Sequence, residues 1–126
     1  MAILLDTSIA IHLRDGDASV RTRFAQLDQI PVLSIVTVVE LEAGVISRDA
    51  SSRRANLDLM LREIDVRPFG NAQAAAYGGI VAAVGYSRRK VLDRMIAAQA
   101  LTDDIPLLTL NGADFRDIPG LRLIEW

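Results

Sequence analysis

The apolar positions of the chain follow two alternating patterns. Ala2–Leu5 is an unbroken apolar run, and residues 31–35 read alike; such runs suit strands buried on both faces, as in a parallel sheet. Residues 65–69 and 106–110 continue the series, and 121–124 closes it as an edge strand. Between the strands the spacing turns helical. A helix starts near Thr7, with Asp6 or Thr7 as its cap, and breaks at Gly16-Asp17. Residues 18–27 place Val20, Phe24 and Leu27 on one face, and 37–47 are helical. Ser51 or Ser52 caps a helix that reaches Ile64, with Leu57, Leu61 and Ile64 keeping its period. Asn71 caps an alanine-rich helix that fades at Gly85; a polar loop, 86–90, leads into a helix over 91–101. Strands alternating with helices or helix pairs predict an α/β sandwich with a mostly parallel central sheet.

The 126 residues fit one domain, 1–126, able to bury about two thirds of its unfolded surface without staples. Hydrophobic residues make up 51% of the chain, which implies either a very full core or an apolar face left for a partner. There is no cysteine, so disulfide frameworks, thiolate zinc sites and cysteine nucleophiles are excluded. The N-terminus lacks the basic and apolar regions of a secretion signal. No stretch approaches the roughly 18 to 20 apolar residues of a membrane span. A cytoplasmic protein is expected. The net charge of −2 speaks against a simple nucleic-acid coat, which should be basic. A nuclease escapes that objection when its acids gather at cations that turn the site positive.

Four acids stand out by their setting. Asp6 follows the first buried strand, where ligand crevices of open α/β sheets lie; its structural alternative is a helix cap. Glu40 interrupts the apolar run Ile35-Val36-Thr37-Val38-Val39, and a buried glutamate is costly unless paired or bound to metal. Ala43 and Gly44, one turn on, leave room beside it for a metal or another backbone. Glu42 lies about 200° round that helix, so it cannot share the site. Asp93 heads the apolar face carrying Ile96, Ala97 and Ala100, where it could also serve only the helix dipole. Asp114 lies just past the 106–110 strand, in a turn that Asn111 is placed to cap. Oxygen-only ligands select hard cations, Mg²⁺ or Mn²⁺, and such a set suits metal-assisted phosphodiester hydrolysis.

The segments Leu4-Leu5-Asp6-Thr7-Ser8, Val39-Glu40-Leu41-Glu42-Ala43-Gly44, Leu92-Asp93-Arg94-Met95-Ile96-Ala97-Ala98 and Leu107-Leu108-Thr109-Leu110-Asn111-Gly112-Ala113-Asp114-Phe115 together resemble the PIN domain, as does the closing Ile118-Pro119-Gly120-Leu121. In order and spacing they look like the VapC-type toxins of toxin–antitoxin pairs. The resemblance implies an α/β/α sandwich and an Mg²⁺- or Mn²⁺-dependent endoribonuclease. It matches Asp6 and Asp93 to metal-binding aspartates, Glu40 to the central acid, and Asp114 to a fourth acid, which some PIN proteins place at the position of Asn111. Ser8 and Thr109 match small hydroxyl positions lining the site. It also implies a homodimer and a cognate VapB-type antitoxin that lays a tail across the active site. The short stretch Gly85-Tyr86-Ser87-Arg88-Arg89-Lys90 departs from the family's longer loop.

His12, the only histidine, counts as roughly 240° round the helix from Asp6 and so is assigned a surface or packing role. Arg88, Arg89 and Lys90, flanked by Tyr86, could grip RNA phosphates or be a solvated loop. Arg53-Arg54 reads as a solvated face, and Ala74-Ala75-Ala76 with Gly78-Gly79 as helix packing. No glycine-rich nucleotide-binding motif occurs. Two rival readings compete with the ribonuclease. One is a phosphotransfer switch on Asp6 with Thr109 and Lys90 as helpers; the other is a non-catalytic interaction module of the same fold.

Overall fold

The computed structural model describes residues 1–46 and 49–126. Among these, strands β1 (Ala2–Leu5), β2 (Ile30–Ser34), β3 (Asp65–Arg67), β4 (Leu107–Thr109) and β5 (Leu123–Glu125) form one sheet in the order β3-β2-β1-β4-β5. Every neighbouring pair is parallel. Helices α1 (Thr7–Asp15), α2 (Ala18–Ala25), α3 (Ile35–Val45), α4 (Ala50–Glu63), α5 (Asn71–Val84) and α6 (Val91–Asp103) connect the strands.

The unbroken apolar runs are explained by burial on both sides. Ile3, Leu5, Leu33 and Leu108 pack with Ile9 and Ala10 of α1, Val20 of α2, Leu41 of α3 and Leu57 of α4. Leu4, Val32 and Leu107 point the other way, against Ile80 of α5, Ile96 to Ala98 of α6, Phe115 and Ile118. Each fully buried leucine or isoleucine contributes about 1.5–3 kcal/mol, so the two half-cores hold the central strands from both faces. The architecture is the expected α/β/α sandwich.

Several element ends differ from the sequence reading. Helix α3 begins at Ile35, directly after β2, because the Ser34 side chain accepts from Val36 N at 3.1 Å and stops the strand. The 37–47 helix ends at Val45 among the described residues; Ser47 lies outside them. Helix α4 starts at Ala50, with Asp49 rather than a serine in the cap position. Gly70, not Asn71, is the residue before α5; its N–H donates to the Gln73 side chain at 2.8 Å. The last strand, Leu123–Glu125, starts two residues later and ends one residue later than the 121–124 expected. Among the described residues no helix is long and apolar enough to cross a membrane.

From β1 the chain moves outward to β2 and β3, then crosses back to β4 on the other side of β1. Ligand crevices in such sheets open at the carboxyl ends of the strands where the winding direction reverses. Here that point is the gap between the ends of β1 and β4, where Asp6 and Thr109 lie.

Candidate active site

Asp6 leaves β1 with an extended backbone and holds the cap position of α1, yet its side chain makes no capping bond. Its N–H is tied to Leu108 O at 2.8 Å, which fixes it to β4. The residue is only 3% exposed. Ser8 and Thr109 both donate to its Oδ2, at 2.7 and 2.8 Å. With both hydroxyl protons so committed, the 3.4 Å approach of Ser8 to Thr109 is a packing contact. The two hydroxyls in turn accept from the N–H groups of Leu110 (3.2 Å) and Asn111 (2.9 Å). Asp6 Oδ1 is buried and has no hydrogen-bond partner. A buried carboxylate oxygen left unpaired is costly, and a cation is the natural partner for it.

Glu40 reaches the same place from α3. Thr7 donates to its Oε1 at 2.7 Å, so Thr37, 3.0 Å from Thr7, must be the donor in that second contact. Burial raises the Glu40 pKa; the Thr7 hydrogen bond opposes this, and the Asp6 charge adds to it. Asp93 stands in the first turn of α6. Its carboxyl is pushed up to about 6, first by burial, then by the negative charges of Asp6, Asp114 and Glu40, against a smaller opposing pull from Lys90.

Asp6, Glu40 and Asp93 line one open pocket of about 280 Å³ with Thr7, Ser8, Ile11, His12 and Asn111. Three of the four sequence-selected acids therefore share a wall. Asp114 lies in the 3-10 turn Gly112–Asp114, close enough to act on Asp93 by charge, while Asn111 occupies the lining position. Asn111 makes no capping bond there. Among the described residues no three acids or histidines stand close enough together to hold a metal ion as the side chains lie, so a cation here would have to draw them in. The hydroxyls of Thr7, Ser8 and Thr109 hold Glu40 and Asp6, so mutually repelling anions rest on donors instead of on one another. The unpaired Asp6 oxygen, the all-oxygen donor set and the raised pKa values of Glu40 and Asp93 fit a hard divalent cation.

His12 is exposed but lines this pocket, with Nδ1 2.8 Å from Ser8 O. Asp6 precedes the helix, so the 240° count from it misplaces the ring. Counting from Ser8 puts Ile11 and His12 at i+3 and i+4, on the site's face. Gly44 does not make room for the acid: a Cβ there would meet Arg14 Nη1 at 3.2 Å, so the glycine clears space for a guanidinium that is 2% exposed. Glu42 faces elsewhere, as expected, in a two-bond pair with Arg54 at 2.7 and 2.9 Å. Arg53 and Arg54 are thus engaged structurally: Arg53 donates to Gly44 O, and Arg54 also holds Asp58. Buried Arg14 and Arg94 give no sign in the sequence, because an arginine's default place is the surface.

The family model of the PIN domain matches residues 3–121. Ribonuclease VapC of Rickettsia bellii (strain RML369-C) is 31% identical over 131 residues, covering 98% of this chain and 96% of that protein. The tRNA(fMet)-specific endonuclease VapC of Shigella flexneri is 32% identical over 130 residues, covering 100% and 98%. Among solved structures, DNA-bound VapBC from Salmonella typhimurium superposes with a TM-score of 0.85 at 25% identity, over 100% of this chain and 98% of that one.

Proposed function

The chain belongs to the PIN-domain family, and on that premise we propose that it is an Mg²⁺- or Mn²⁺-dependent endoribonuclease, the toxin of a VapBC-type toxin–antitoxin pair. The observation that carries the reading is the shared pocket of Asp6, Glu40 and Asp93 at the carboxyl ends of β1 and β4, with one buried Asp6 oxygen unpartnered. Asp6, Glu40 and Asp93 would hold the cation, with Asp114 acting directly or through water. When bound, the cation supplies Lewis-acid stabilisation of charge on a phosphodiester and a more acidic water.

The protein's own contributions are positional. Ser8 and Thr109 fix the Asp6 carboxylate through one oxygen and leave the other free. Thr7, backed by Thr37, fixes Glu40. Asp93, whose carboxyl is pushed up to about 6 by burial and its acid neighbours, gains from a cation because its ionised form is disfavoured without one. The named activities of the two VapC relatives support RNA as substrate, and the VapBC assembly of the Salmonella protein supports an antitoxin partner. A homodimer and a place in the cytoplasm complete the proposal.

The test is cleavage of RNA by purified protein, with initiator tRNA the first substrate to try in view of the Shigella relative's name. Wild type should cut in Mg²⁺ or Mn²⁺ and stop on chelation, and Asp6→Asn should be folded and inactive. Equal cutting by Asp6→Asn, or cutting indifferent to chelator, would refute it.

A further inference from the structure

The segment between α5 and α6 carries cations that the fold does not use. Arg88, Arg89 and Lys90 form a 3-10 turn that runs straight into α6, three residues before Asp93. Among the described residues none of the three makes an ion pair; Arg21, Arg23 and Arg62 make none either but are scattered, and Arg23 stacks on Trp126, whereas 88–90 places three such cations in consecutive positions. Beside them Tyr86 is 69% exposed and belongs to neither core cluster. Packing does not account for the exposed ring, and Lys90 is near enough to the pocket's Asp93 to act on it by charge.

The segment is also held in place. Lys90 N–H donates to Ser87 O at 3.2 Å and closes the turn. Arg94, only 4% exposed, donates to Gly85 O at 2.6 Å, and its other arm lies 3.7 Å from Asp117. One buried guanidinium thus ties the base of the basic turn to the segment that follows Asp114. A charged fan anchored this way loses little freedom on meeting a ligand.

Resting on the ribonuclease reading above, we propose that residues 86–90 grip single-stranded RNA: Arg88, Arg89 and Lys90 on backbone phosphates, and the Tyr86 ring on an unpaired base. Phosphates match guanidinium and ammonium donors. A base can stack on an exposed ring only when it is out of a duplex, which selects single strands or loops. The grip lies next to Asp93, so the strand it holds is led over the acid pocket.

The test uses the full chain carrying Asp6→Asn, which keeps the RNA intact, and a short fluorescent single-stranded RNA read by anisotropy over a KCl series. Adding Arg88→Gln and Arg89→Gln should flatten the slope of log Kd against log salt by about 1.4, at about 0.7 for each phosphate no longer neutralised. Tyr86→Ala should weaken binding about five-fold or more, because one base is no longer stacked, while Tyr86→Phe keeps it. Duplex RNA of the same sequence should bind more weakly. These residues are exposed or half-buried, so unchanged melting temperatures should confirm folding. An unchanged salt slope, equal binding by Tyr86→Ala and Tyr86→Phe, or equal affinity for duplex would each overturn the proposal; the first would leave the turn to an acidic protein partner. The two readings fail separately. A wild type that binds through this turn but never cuts sinks the ribonuclease alone. A wild type that cuts, with the double variant binding undiminished, sinks the grip alone.

Discussion

Replacing Asp93 with asparagine should make the cation-free protein more stable above pH 7 while abolishing cleavage. The Asp93 carboxyl sits at about 6, against 3.8 for a free aspartate, because burial and the charges of Asp6, Asp114 and Glu40 disfavour its ionised form. Each pH unit of such a shift corresponds to about 1.4 kcal/mol, so ionising the group in the fold costs at most about 3 kcal/mol. The side chain is partly solvated, and screening reduces this to about 1–2 kcal/mol. Between pH 3.8 and about 6 the folded chain keeps a proton that the unfolded chain has released. Stability therefore falls as pH rises through that window and levels off above it. Asparagine has no proton to lose, so the gap between variant and wild type should be near zero below the window and greatest above pH 7. At about 4 °C per kcal/mol for a domain of this size, the variant should melt about 4–8 °C higher. Scanning calorimetry in chelator across a pH series measures this directly. Equal melting temperatures above pH 7, or a gap that does not change with pH, would refute the reasoning. Added Mg²⁺ should reverse the order, since it stabilises only the chain that binds it.

Thr109→Val should remove one of the two donors to Asp6 Oδ2 and destabilise the protein by about 1–2 kcal/mol; equal denaturation midpoints for variant and wild type would contradict this. Gly112→Ala should lower the melting temperature by a few degrees at most, because the added Cβ would overlap only the flexible end of the exposed Glu125 side chain and push it off its exposed pair with Arg116. Combining it with Glu125→Ala should recover most of that decrease, and a double-mutant cycle without coupling would exclude the overlap as the cause. Glu42→Gln should leave RNA cleavage unchanged, since Glu42 is occupied by Arg54 away from the pocket; a large drop in rate would return it to the site.

The sandwich is legible in the sequence because β1 and β2 are buried on both faces, which writes unbroken apolar runs into the chain. The acids are legible because each sits where structure alone does not need it: Asp6 at a strand end, Glu40 in an apolar helix. Features that depend on partners distant in sequence do not show. Gly44 reads as room for a metal, but its neighbour is Arg14, thirty residues earlier. The burial of Arg94 depends on the Gly85 carbonyl and Asp117, which no local pattern announces. His12 is misplaced when the helix phase is taken from a residue ahead of the helix. The choice between Asn111 and Asp114 turns on a 3-10 turn too short to leave a periodic trace.

The central claim is that Asp6, Glu40 and Asp93 act together as a cation site. Calorimetric titration of Mn²⁺ into wild type, Asp6→Asn and Asp93→Asn tests it most directly. Saturable binding by wild type that either substitution abolishes or greatly weakens is the expected result. No binding by wild type, or equal binding by all three proteins, would contradict it.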